Sequence, residues 1–220
     1  MITNQVTLDT LQEAAENKTP ILLSGSNVGI GFQTTIAAIE GQHLIIKNLI
    51  PPEHISKLVE SKKFTIQLQM LRMECLKIHS DGDHIIFPLA NLDEIEDNRG
   101  AKRFFFDTDD VVIELTNPYD KTTLLKKHII DLSSTGVSIK SPIKSKLYDP
   151  GTRFEGMNII VNGKSYNKAN GEVVYSRKFL DIKGKYYYQI GLRSVSYTHL
   201  RAHETSLHLV CRLLLEKSTR

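Results

Sequence analysis

Between Val111 and Arg193 the chain repeats one pattern six times: a short run rich in β-branched or aliphatic residues, closed by residues that favour a turn. The runs are Val111–Asn117, Leu124–Asp131, Gly136–Lys140, Phe154–Val161, Gly171–Arg177 and Tyr186–Arg193. Asn117-Pro118, Asp149-Pro150-Gly151, Asn162-Gly163 and Lys183-Gly184 punctuate them. Runs this short are strands rather than helices, and proline and glycine at these positions reverse the chain. Six short strands with regular turns predict a small antiparallel barrel.

The rest of the chain is also mostly β. Residues 7–17 predict a short helix, with Leu8, Leu11 and Ala15 on one face and Thr7 or Asp9 as cap. Thr34–Ile39 and His43–Ile50 predict strands with Gly41 in the turn between them, and Glu53–Ser61 one or two helical turns. Lys63–Gln69 alternates as a half-buried strand does, and Met73–Ile78 with His84–Pro88 predicts a hairpin around Ser80-Asp81-Gly82-Asp83. The expected fold class is therefore mainly β. Two small domains are expected, residues 1–97 with a short leading helix and residues 98–193.

Charge changes sign where these two parts meet. Residues 1–97 carry 7 Lys and Arg against 13 Asp and Glu, and residues 98–193 carry 17 against 10. An anion would be steered toward the second part. Asn91–Asp97 is acidic and reads as a linker, more simply a solvated loop than a counter-charge for the arginines that follow, because exposed ion pairs contribute only ~0–1 kcal/mol.

Those arginines open the stretch that carries chemistry. Arg99 and Arg103 stand four apart, and 28 residues after Arg103 comes Asp131-Leu-Ser133-Ser-Thr-Gly136. A guanidinium is planar, permanently charged and fork-shaped, so it grips phosphate oxygens and stacks on rings. A carboxylate and a hydroxyl can hydrogen-bond a base edge, and a glycine lets the backbone turn or a ligand approach. In these residues the chain resembles the PilZ domain, a bacterial receptor for cyclic di-GMP, whose pattern is Arg-x-x-x-Arg followed by Asp/Asn-x-Ser-x-x-Gly on a β-barrel. The resemblance covers about residues 98–193. It implies a six-stranded PilZ barrel that binds cyclic di-GMP through Arg99, Arg103, Asp131, Ser133 and Gly136, with no catalysis, cofactor or metal. Residues 5–97 are similar, in strand order, to the N-terminal domain of flagellar-brake proteins. That likeness implies motility control through a flagellar-motor partner; an adaptor role for pilus or polysaccharide machinery is the alternative reading of the same fold.

Other stretches carry competing signals. Ser24-Gly25-Ser-Asn-Val-Gly29-Ile-Gly31 is similar to the glycine fingerprint of short-chain dehydrogenases. Strand-like residues follow it where that fingerprint requires a helix, and Glu40 comes too soon to be the ribose-binding acid, so a bend between strands is expected. His79-Ser-Asp81-Gly-Asp83-His84 reads as a polar hairpin tip, not a metal site. Tyr186, Tyr187 and Tyr188 should alternate between faces. Cys75 and Cys211 make no disulfide framework. The absence of an apolar span and of a signal peptide predicts a cytoplasmic protein without membrane insertion, and the formal charge of +3 is too small to predict a nucleic-acid polymer as partner. Val195–Thr205 and Leu209–Lys217 resemble translated sequencing-adaptor read-through, so residues 194–220 are expected to be a non-native tail, with the native end of the domain missing.

Overall fold

Fifteen strands and two α-helices make up the computed structural model, which describes residues 4–76, 78–95, 103–106 and 110–195. The chain divides into two units, Met1–Asn98 with Lys178–Tyr186, and Arg99–Arg177 with Tyr187–Arg220.

The first unit opens with helix α1, Gln5–Glu16, which buries Leu11 and Ala14. Its cap is Asn4, whose side chain accepts the Val6 N–H, and not Thr7 or Asp9. The helix starts two residues earlier than its apolar pattern suggests. Thr7 is consequently inside it, buried, with its hydroxyl donating to Glu94 Oε2 at 2.9 Å. Strand β1 (Pro20–Gly25) pairs antiparallel with β2 (Ile30–Glu40), so the glycine-rich stretch between them is a hairpin bend. A dinucleotide fingerprint needs a strand-to-helix turn, which removes the dehydrogenase reading. β2 continues into β3 (His43–Lys47), also antiparallel. Helix α2 (Pro52–Val59) places Pro52 in its first turn, where the missing N–H costs nothing. β4 (Phe64–Leu68) alternates buried and half-buried residues as its sequence predicts, and it pairs with β1.

The next segment departs from expectation. β5 (Leu71–Cys75) pairs with β4 and with a strand at Leu92–Glu94, and not with His84–Pro88. β6 is only His79–Ser80, and it pairs with β7 (His84–Pro88), which lies against β3. Both sides of Met73 and Cys75 are thus taken by other neighbours, and both side chains enter the core. The strand at Leu92–Glu94, β8, begins inside the stretch read as a linker. Leu92 is fully buried opposite Cys75, so this part of the acidic run belongs to the fold, while Glu96 and Asp97 lie outside the described residues. At the hairpin tip the Asp81 carboxylate accepts the His84 N–H, and that bond holds the Asp81 pKa below its usual value. No group of three metal-ligating side chains converges among the described residues. Lys178–Leu180 runs parallel beside Ile30–Phe32, and Leu180 joins the core of this unit.

In the second unit, β9 (Arg103–Phe105) and β10 (Val111–Thr116) precede β11 (Leu124–Ser133) and β12 (Gly136–Ser141). β13 (Arg153–Val161), β14 (Lys164–Leu180, in this unit as far as Arg177) and β15 (Tyr186–Val195, in this unit from Tyr187) complete it, β14 and β15 being longer than their apolar patterns. The strand order is β13–β10–β11–β12–β15–β14, and β13 and β14 also pair with each other. Asn162 and Gly163, both at positive φ (49° and 75°), form the two-residue turn between β13 and β14. Such a turn twists with its strands and suits asparagine followed by glycine. Ile113, Leu115, Leu132, Ile139, Phe154 and Ile190 lie at the centre of the core. Tyr188 packs against that core, whereas Tyr187 lies under the Lys140 ammonium, 4.5 Å from the ring centre. β15 runs to Val195, two residues beyond the expected end, and residues 196–220 lie outside the described residues. No helix among the described residues is long and apolar enough to cross a membrane.

Candidate functional site

β11 presents its last residues by simple alternation. Leu132 points into the core, so Asp131 and Ser133 must point the other way. An aspartate there would ordinarily be solvated, yet Asp131 is only 2% exposed. Its neighbours explain this. At this end β11 is flanked on both sides, with Asp131 opposite Ser138 of β12 and opposite Phe105 of β9. The register shifts between Ile129 and Asp131, an irregularity of the kind that re-aims a side chain.

Each oxygen of the Asp131 carboxylate has partners. Arg103 Nη1 donates to Oδ1 at 2.6 Å. Arg103 is opposite Ser133 in the ladder, so its long side chain reaches diagonally along β11 to the carboxylate. On the other oxygen, Ser138 Oγ makes a short hydrogen bond, and Gln189 Nε2 of β15 donates to the same Oδ2 at 3.3 Å and to Ser138 Oγ at 3.0 Å. A buried charge is tolerable only when paired and hydrogen-bonded, and this one is both.

Tyr175 of β14 completes the cluster. Its ring lies where a Cβ at Gly191 would be, so glycine at 191 leaves room for it. Burial pushes the Tyr175 hydroxyl above the usual tyrosine pKa; the Asp131 charge adds to the rise, and the Arg103 guanidinium partly offsets it.

Four of the five residues singled out in the sequence fall in this region. Arg103 and Asp131 touch directly. Ser133 is buried, and its hydroxyl serves the turn into β12, donating to the Gly136 carbonyl at 3.2 Å and accepting the Thr135 N–H at 3.4 Å. Gly136 is the first residue of β12 and is not at positive φ. It must be glycine because a Cβ would overlap the Leu192 carbonyl oxygen of β15. Its role is therefore the close approach of a neighbouring strand, not the turn. Arg99 lies outside the described residues. Ser138, Gln189 and Tyr175 were not found from sequence. Ser138 and Gln189 each carry one signal, a polar residue alternating with core residues in an apolar strand, but their meeting with Asp131 depends on register.

A guanidinium and a carboxylate side by side can serve an anionic ligand that carries N–H donors. The cation would take a phosphate, and the carboxylate would take the donors of a base edge.

No family model and no curated protein matches the chain. Solved structures do. K. pneumonia MrkH in complex with c-di-GMP superposes with a TM-score of 0.69 at 14% identity, covering 97% of this chain and 94% of MrkH. A second MrkH structure, described as a c-di-GMP-dependent transcription regulatory factor, gives 0.63 at 14% identity over 97% and 92%. The crystal structure of Escherichia coli YcgR in complex with c-di-GMP gives 0.56 at 14% identity over 96% and 89%. The chain thus has the fold of MrkH and YcgR, two proteins solved with c-di-GMP bound.

Proposed function

We propose that this protein is a receptor for cyclic di-GMP that acts by binding and not by catalysis. Arg99 and Arg103 take the phosphates or stack on the guanines, Asp131 and Ser133 face the guanine edge, and Gly136 lets β12 pack close to β15 beside them. One observation carries the reading. The guanidinium of Arg103 meets the buried carboxylate of Asp131, 28 residues away in the chain, on a fold shared with two c-di-GMP complexes. We read the six strands β13–β10–β11–β12–β15–β14 as a PilZ-type barrel within residues 98–193, and residues 1–97 as a flagellar-brake-like domain. We place the protein in the cytoplasm.

Its output on this reading is a change in domain arrangement that alters contact with a flagellar-motor partner. Moving such an equilibrium from mostly open to mostly closed takes about 5.5 kcal/mol of ligand preference. Two charge-assisted contacts of ~1.5–3 kcal/mol each supply most of that. An adaptor role toward pilus or polysaccharide machinery keeps the same site. The likeness to MrkH favours a further reading, in which the output is transcription and the partner is DNA. Affinity capture with and without cyclic di-GMP, alongside a DNA-binding assay, separates these outputs.

The ligand itself is tested by calorimetry. Cyclic di-GMP should bind the wild type. Arg99→Ala and Arg103→Ala should each weaken it by about 1.5–3 kcal/mol, without rescue by lysine, which lacks the planar fork. Wild-type affinity in the double alanine variant would overturn the site, and no binding to the wild type would overturn the function.

A further inference from the structure

The two oxygens of Asp131 face different surroundings. Oδ2 accepts from Ser138, which is fully buried, and from Gln189, which is 8% exposed. Oδ1 accepts from Arg103, whose side chain is 22% exposed. One oxygen is therefore held from the interior and the other is covered from the surface. Gln189 Nε2 also donates to Ser138 Oγ, so the two interior donors hold each other as well as the carboxylate.

We propose that Gln189, together with Ser138, is a positioning residue of the binding site: the pair pins Oδ2 so that Oδ1 is presented outward, with Arg103 as its exchangeable cover. The inference rests on the cyclic di-GMP reading above and gives it a sequence of contacts. Guanine carries N–H donors on its edge. In this structure Arg103 occupies the oxygen such donors need. When the ligand arrives, Arg103 passes to a phosphate and the guanine donors take Oδ1. Removing the cation from a buried carboxylate is normally costly, because the charge is left without partners. Here Ser138 and Gln189 remain on Oδ2 throughout, so the carboxylate is not stranded while its outer partner changes.

A residue that merely stabilised the sheet would lower stability and leave the affinity of the folded protein alone. One that acts through Asp131 must lose its effect when Asp131 is already altered. The test is calorimetry with cyclic di-GMP on folded wild type, Gln189→Leu, Ser138→Ala, Asp131→Asn and the double variant Gln189→Leu/Asp131→Asn. Ser138→Ala removes a single hydroxyl and guards against a Gln189→Leu chain that does not fold. Each single brace variant should weaken binding about tenfold, the size of one such hydrogen bond, and Gln189→Leu should add nothing in the Asp131→Asn background. Wild-type affinity in both brace variants would overturn the proposal and leave the receptor reading standing. So would a tenfold loss that persists in the Asp131→Asn background, since the residue would then act elsewhere. If the wild type itself fails to bind, the receptor reading falls and this inference with it.

Discussion

Replacing Arg103 by alanine should destabilise the protein even when no ligand is present. The guanidinium lies 2.6 Å from a carboxylate whose side chain is only 3% exposed. Breaking a fully buried ion pair costs about 3–5 kcal/mol, because the surviving charge has no partner. Two features lower that figure here. Asp131 keeps Ser138 and Gln189, and the 22% exposure of Arg103 leaves a route for water to reach the vacated oxygen. A loss of about 1–3 kcal/mol is expected, near that of a single charge-assisted hydrogen bond. Urea denaturation of ligand-free protein is the assay. The midpoint should fall while the m-value stays constant, since the surface exposed on unfolding is unchanged. Combining Arg103→Ala with Asp131→Asn should cost less than the sum of the two, because both remove the same pair. An Arg103→Ala midpoint equal to that of the wild type would refute the reasoning, for it would mean that the pair contributes no more than an exposed one, ~0–1 kcal/mol.

The remaining predictions concern strand packing, pH and the last strand. Gly136→Ala should destabilise by about 1–3 kcal/mol, as overpacking does, because the obstructing atom is the Leu192 carbonyl oxygen and not a flexible side chain; an unchanged melting temperature would contradict the close approach. Tyr175 has its pKa raised in the folded state by burial and by the Asp131 charge, and Tyr148 by burial. Below the unfolded tyrosine pKa of about 10 both states keep these protons, so the stabilisation is complete there. Above it the unfolded chain ionises first and stability falls as pH rises through the folded pKa. Tyr175→Phe should lessen that fall in denaturation midpoints measured from pH 9 to 11, and equal slopes in the two proteins would rule out the shift. The Ser194 N–H donates to the Thr135 carbonyl at 2.9 Å, and Arg193 pairs with Gly136. With the tail beyond this strand read from sequence as non-native, ending the chain after Val195 should leave denaturation midpoint and ligand affinity unchanged, whereas ending it after Leu192 should cost about 1–2 kcal/mol in lost hydrogen bonds.

Local pattern made much of this protein legible. The alternation in Phe64–Leu68 and the Asn162-Gly163 turn follow from the pleat of a strand and from backbone angles that few residues accept. The candidate ligand residues can be proposed from sequence because arginines, a carboxylate, a hydroxyl and a glycine carry their chemistry with them wherever the chain places them. What alternation reports is the face of a strand, never its neighbour. For that reason Met73–Ile78 reads as one arm of a hairpin with His84–Pro88 although β5 pairs with β4 and β8, and Leu92 reads as linker although it fills the core opposite Cys75. The interior of the site was hidden for the same reason. Ser138 and Gln189 reach Asp131 across 7 and 58 residues, through the register of β11 with β12 and of β12 with β15. Even Gly136, visible in the pattern from the start, owes its identity to a carbonyl oxygen at Leu192. Residue chemistry and local period are properties of the sequence; which groups meet is settled by non-local strand pairing, where one slip of register would turn every side chain to the opposite face.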